Sequence, residues 1–319
     1  MGGFSFSGKG GVKGAGGSSS SPTPSTRQMP VEASDPLHKK MKAPSFPGWT
    51  EVPEFEVPEL AVELMGEPSC GKTHTSGTFP YPAICDTEKK GWMVWGKLGL
   101  KKYFHASYWE EVISFWEHIM ENTLTSKQQL EEGNDIDPDI TVDTIVFDSS
   151  RDIREWAELY TKGVTGKKSL YSNAAGPVQY NMVYAKLDTI IQTTRKSGRN
   201  VVFTSRLKDQ YVKNETTGAL IRDGYKKAPY QFDVILRLQL GVYNSKGRQL
   251  YPRKIFGRVE KIGWLHASSW PYYLIGNGKG LCYNDIVEEL VKSDGTDLGL
   301  DDWIEQVVKP KMEELNISP

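Results

Sequence analysis

Apolar residues fall into two rhythms along this chain. Short runs at 60–65, 83–86, 144–148 and 200–205 are mostly apolar or β-branched, with Glu63 inside the first, and end in or lead into turn or polar residues. They read as strands buried on both faces. Residues 108–122 instead place Val112, Ile113, Phe115, Trp116 and Ile119 at helical spacing, and 177–196 does the same with Met182, Leu187, Ile190 and Ile191. A short helix after the first strand, another over 152–160, and a short strand at 102–104 complete the alternation. This order predicts an α/β fold with an open, mainly parallel sheet flanked by helices.

After residue 205 the rhythm changes. Segments 210–213 and 219–225 flank the turn-like run 214–218, and strands over 234–240 and 253–262 flank Asn244, Ser245, Lys246 and Gly247. Both pairs read as hairpins, giving a β-rich extension. Two helices, over 284–291 and 301–315, close the chain. At the other end, residues 1–48 are rich in Gly, Ser, Thr and Pro and poor in large apolar groups, so they predict a disordered arm. The expected organisation is an arm over 1–48, a core over 49–282 and an acidic helical segment over 283–319.

Composition adds little until it is resolved by segment. The whole chain carries 39 Lys and Arg against 40 Asp and Glu. Residues 151–282, however, hold 23 basic against 9 acidic side chains, and residues 283–319 hold 3 against 10. A surplus of that size suggests a polyanionic partner for residues 151–282. The acidic end would either dock on the core or cover the basic face. No apolar run is long enough for a membrane span, and the N-terminus lacks a signal-peptide core. Cys70, Cys85 and Cys282 fit neither a disulfide framework nor a zinc site, so the expected compartment is the cytoplasm, or that of the host if the protein is viral.

The candidate chemistry begins where the first strand ends. Gly66, Glu67, Pro68, Ser69, Cys70, Gly71, Lys72 and Thr73 match the phosphate-binding loop pattern, and His74 follows at the start of the expected helix. Glycines at both ends let backbone N–H groups curl around phosphates, Lys72 supplies a cation, and Thr73 offers a hydroxyl to Mg²⁺. ATP and Mg²⁺ are therefore the expected ligands. A second glycine-lysine run, residues 7–14, has neither the Gly-Lys-Ser/Thr ending nor a preceding strand and reads as part of the flexible arm.

A strand ending in Asp148 has the form of the second, Mg²⁺-organising motif. Many loop ATPases place the hydrolytic Glu directly after that Asp, but Ser149 and Ser150 stand here. The strand ending at Asp86 leads through Thr87 to Glu88, and strand C-termini form the ligand crevice of an open α/β sheet. Glu88 is thus the candidate base, beside Lys72 as the other catalytic residue.

Taken in order, the phosphate loop, Cys85-Asp86-Thr87-Glu88, Ile145-Val146-Phe147-Asp148-Ser149 and Val201-Val202-Phe203-Thr204-Ser205-Arg206 resemble the RecA-like ATPase core. More closely they resemble the short phage-type nucleotide-binding proteins related to RecA and archaeal RadA. The resemblance spans roughly residues 60–240. It implies a DNA-dependent ATPase that works on single-stranded DNA as an oligomer, in the company of a single-strand-binding or annealing protein. It also implies a γ-phosphate sensor at Ser205 and Arg206, although RecA carries Gln where Arg206 stands. By the same resemblance, the DNA-binding loops would carry Lys167 and Lys168, then Lys208, Lys213, Arg222, Lys226 and Lys227. Basic residues from a neighbouring subunit would complete each ATP site, with Arg253, Lys254, Arg258 and Lys261 in the right region. Two other readings stay open: a small-molecule or nucleoside kinase, and a nucleotide-binding switch that does not hydrolyse.

Overall fold

The computed structural model describes residues 59–164, 177–212, 215–224, 228–263, 273–276, 281–292 and 300–318. The expected arm lies outside the described residues, as do Lys167, Lys168, Lys213, Lys226 and Lys227.

Among the described residues the strands are β1 (Ala61–Gly66), β2 (Pro82–Asp86), β3 (Tyr103–His105), β4 (Thr144–Asp148), β5 (Asn200–Val212), β6 (Glu215–Asp223), β7 (Val234–Tyr243), β8 (Gln249–Ile262) and β9 (Tyr273–Ile275). They form one sheet in the order β3-β2-β4-β5-β1-β7-β8-β9, with β6 paired to β5. From β3 to β7 the neighbours are parallel, while β8 and β9 add antiparallel strands at one edge. The helices are α1 (Lys72–Gly77), α2 (Trp92–Lys97), α3 (Trp109–Asn122), α4 (Ser126–Glu131), α5 (Ser150–Val164), α6 (Pro177–Lys196), α7 (Ala228–Gln231) and α8 (Tyr283–Lys292). This is the mixed α/β class with a mostly parallel sheet that the sequence pattern predicts.

Every residue of β1, β2 and β4 is buried, Glu63 of β1 included, as mostly apolar strands are when helices cover both faces. On one face Met65, Phe147, Phe203 and Ile235 pack with Phe115 of α3, Ile153 of α5 and Leu187 of α6. On the other, Leu64, Ile84, Val146 and Leu236 pack with Phe79, Trp95 of α2 and Ile286 of α8. Ile286, within the acidic segment, therefore packs in this core.

Strand order positions the site. Because β5 lies between β1 and β4, the ends of three strands meet on one edge: the loop after Gly66, the Thr204–Arg206 stretch and Asp148. Beyond Arg206, β5 does not stop. It continues to Val212 and folds back as β6, with Arg206 opposite Asp223 and Val212 opposite Glu215. The turn-like run 214–218 is thus mostly absorbed into β6, with a register shift between Asp209 and Tyr211.

The C-terminal helix is also more complex than its periodicity suggests. An α-turn over Leu300–Trp303 passes into a π-helical stretch, Ile304–Val308, and returns to α at Lys309–Glu314. Pro310 cannot donate the bond that α continuation would need, which accounts for the wider turn before it. Trp303, Ile304, Val308 and Met312 pack on Val242, Tyr251 and Phe256 of the β7–β8 hairpin.

Candidate active site

The phosphate loop wraps a pocket of about 480 Å³ at the C-terminal edge of the sheet. Its shape depends on two glycines. A Cβ on Gly66 would run into Cys70 Sγ and lie 2.5 Å from the Leu238 carbonyl oxygen, so only glycine fits between the loop and β7. Gly71 has φ +92°, a left-handed conformation, and it opens α1 with no side chain capping the first turn. The first-turn N–H groups of Thr73 and His74 are left to face a ligand. Pro68, Ser69, Gly71, Lys72, Thr73 and His74 line the pocket, whereas exposed Glu67 lends only a carbonyl and buried Cys70 turns toward Gly66.

Lys72 folds back on its own loop, its ammonium donating to the Gly66 carbonyl at 2.9 Å and the Glu67 carbonyl at 2.7 Å. Across the pocket the Thr73 hydroxyl donates to Asp148 at 3.2 Å, and the Thr204 hydroxyl donates to the other Asp148 oxygen. Burial pushes the Asp148 carboxyl up to about 6, and the nearby Glu88 and Asp86 carboxylates push it the same way. The Asp148 carboxylate and the Thr73 hydroxyl beside it are hard oxygen donors of the kind that Mg²⁺ takes in ones and twos, with phosphates and water completing its shell. Among the described residues no cluster of three or more His, Cys, Asp or Glu could hold a metal by itself.

Glu88 reaches the same pocket, on the loop between β2 and α2. Asp86, fully buried, fixes that loop by accepting from the backbone N–H groups of Glu88 (2.8 Å), Lys89 (3.1 Å) and Gly91 (3.2 Å) and from the Tyr103 hydroxyl (3.0 Å). Thr87 ties the loop to the end of β4: its N–H donates to the Asp148 carbonyl at 2.6 Å, and its hydroxyl donates to Asp152 at 2.7 Å. Sequence reasoning missed Asp86, Thr87 and Thr204. Their polar side chains at strand ends were the available signal.

Arg206 grips Glu88 with two guanidinium nitrogens, Nε at 3.0 Å and Nη2 on the second oxygen. The alternation of β5 sends Thr204 and Arg206 into the nucleotide pocket and Ser205 to the opposite face. There Ser205 donates to buried Glu63 at 2.5 Å and shares a 2.7 Å hydrogen bond with Ser150. Of the residues singled out for DNA, Lys208 pairs with Asp223 at 2.8 Å and Arg222 pairs with Glu63 at 2.7 Å. Both are held by carboxylates of the same chain.

All three cysteines are free, and no helix among the described residues is long and apolar enough to cross a membrane. No curated protein matches the chain. The family model described as an AAA domain matches residues 59–259, the stretch that contains the phosphate loop, Asp148 and the whole parallel sheet. Domains of this type bind ATP with Mg²⁺, in keeping with the geometry of Lys72, Thr73 and Asp148. The chain belongs to the AAA-domain family of P-loop ATPases.

Proposed function

We propose that this protein is a RecA-like, DNA-stimulated ATPase that works on single-stranded DNA as an oligomer, in recombination, replication or repair of the phage type. One observation carries the reading. β5 runs unbroken from Thr204 and Arg206 in the nucleotide pocket into the β5–β6 hairpin, so one strand links that pocket to an exposed surface element. The hairpin base is also tied to α5, the helix that follows Asp148, through Arg151 to Asp223 at 3.5 Å. A partner that moves the hairpin would therefore act on both ends of the pocket.

Chemically, Lys72 exchanges the carbonyls of Gly66 and Glu67 for phosphate oxygens, and the first turn of α1 contributes its N–H groups. Thr73 and Asp148 would hold Mg²⁺, which when bound supplies charge neutralisation on the phosphates. Glu88 orients and deprotonates the attacking water once phosphate draws Arg206 away from it. Arg206 suits that exchange, because its planar fork matches carboxylate and phosphate alike.

A switch without turnover is the second reading, and the engagement of Glu88 by Arg206 favours it. ATP hydrolysis measured with and without single-stranded DNA separates the two. Stimulated turnover that disappears in Lys72→Ala supports the ATPase. Tight ATP binding with no turnover under any DNA condition supports the switch.

A further inference from the structure

A second concavity, of about 450 Å³, opens on the same edge of the sheet and shares no residue with the nucleotide pocket. One wall is the β5–β6 hairpin with Leu207, Leu220, Ile221 and Arg222, and the other is Arg237 of β7 with Arg258 and Glu260 of β8. Arg237 and Arg258 stand directly opposite each other in the ladder. Like charges in that register repel, so the fold maintains an arrangement that a bound anion would relieve. Arg258 has a partial partner in Glu260 at 3.5 Å and Arg222 has Glu63, but Arg237 has no ion pair or hydrogen bond among the described residues. With both carboxylates counted, arginines still outnumber them three to two.

We propose that this cleft is a nucleic-acid site, in which Arg237 and Arg258 hold phosphates of a single strand and the wall of Leu207, Leu220 and Ile221 meets its sugars and bases. The inference rests on the function proposed above and moves its contact surface. Arg222, already paired with Glu63, lines the cleft, and Lys208, paired with Asp223, does not, while Arg237 and Arg258 carry the phosphate contacts. The chemistry differs from that of the phosphate loop. Guanidinium groups beside an aliphatic wall suit a diester backbone with its bases. The hairpin wall is the continuation of β5, so a strand lying here touches the element that ends in the nucleotide pocket.

Binding of a labelled oligothymidylate to the full chain with ATP, followed by anisotropy across a KCl series, tests the site. Arg237→Gln and Arg258→Gln are each expected to weaken binding about five- to tenfold. Each should also flatten the log–log salt dependence by about 0.7, the value for one lost phosphate contact on a single strand. Arg237→Lys should restore most of the slope, and Lys246→Gln, an exposed lysine on the β7–β8 turn, should leave it unchanged. Thermal melts of each variant verify the fold. If the wild type binds and both Gln variants match it in affinity and slope, the cleft is not the site, although the proposed function stands. If the wild type binds no oligonucleotide even at low salt, the proposed function fails and the cleft fails with it. Capture of polyglutamate in place of the oligonucleotide, lost in Arg237→Gln, would make this a protein-docking surface and overturn the assignment.

Discussion

Glu88 and Arg206 neutralise one another at the nucleotide pocket, and on the function proposed above the state of this pair would control turnover. Glu88→Gln is expected to leave nucleotide binding intact and lower the hydrolysis rate roughly 10²- to 10⁴-fold, the usual contribution of a general base. Single-turnover hydrolysis beside fluorescent-nucleotide titration checks it. Glu63 offers a second test at this scale. Its burial pushes the carboxyl up to about 7 against the lowering influence of Arg222. The folded state therefore holds that proton more tightly than the unfolded chain, so stability is greatest below pH 4.5 for this group and falls as pH rises toward 7. Melting curves from pH 4.5 to 8 should show a smaller decline in Glu63→Gln than in the wild type; an equal decline would remove Glu63 as the cause. Lys72, Thr73 and Asp148 were legible in the sequence because their spacing or strand-end position states their chemistry. Thr204 and Asp86 were not, since Thr204 meets Asp148 only through the insertion of β5 beside β4, and Asp86 acts by fixing the backbone of its neighbours.

The long elements were readable because their apolar periods are long. The helices at α3 and α6 and the cores of β1, β2, β4 and β5 fall where the pattern puts them. Six-residue α2 and α4 did not emerge, because a helix that short offers too few repeats to establish a period. α4 nonetheless had a local signal: Thr125 and Gln128 form a reciprocal capping box, the hydroxyl accepting from Gln128 N–H at 3.1 Å and the Gln128 side chain accepting from Thr125 N–H at 2.8 Å. Thr125→Ala is expected to cost about 1 kcal/mol, visible as a drop of a few degrees in Tm. The β5–β6 hairpin was expected, but its register was not, because polar residues carry no inside-outside pattern to fix it. Replacing 209–220 by a two-residue turn should abolish DNA stimulation of the ATPase. Stimulation retained in that variant would disconnect the hairpin from the nucleotide site.

At the scale of the whole molecule, the acidic end is where composition left two arrangements open. The acidic C-terminal helices follow the basic segment in sequence, which allows either docking on the core or a cover over the positive face. Trp303, Ile304, Val308 and Met312 are buried against Val242, Tyr251 and Phe256, an apolar contact on the outer part of the β7–β8 hairpin. Trp303→Ala is accordingly expected to destabilise the fold by about 3–5 kcal/mol, measurable by urea denaturation. The sheet thus has one buried end held by helices and one working edge where the nucleotide pocket and the arginine cleft open side by side, joined by β5. The most direct measurement of that connection is the steady-state ATPase rate of the purified chain with and without single-stranded DNA. The expected result is a rate that rises with DNA and is lost in Lys72→Ala; an ATPase rate indifferent to DNA, or none at all with ATP bound, would contradict it.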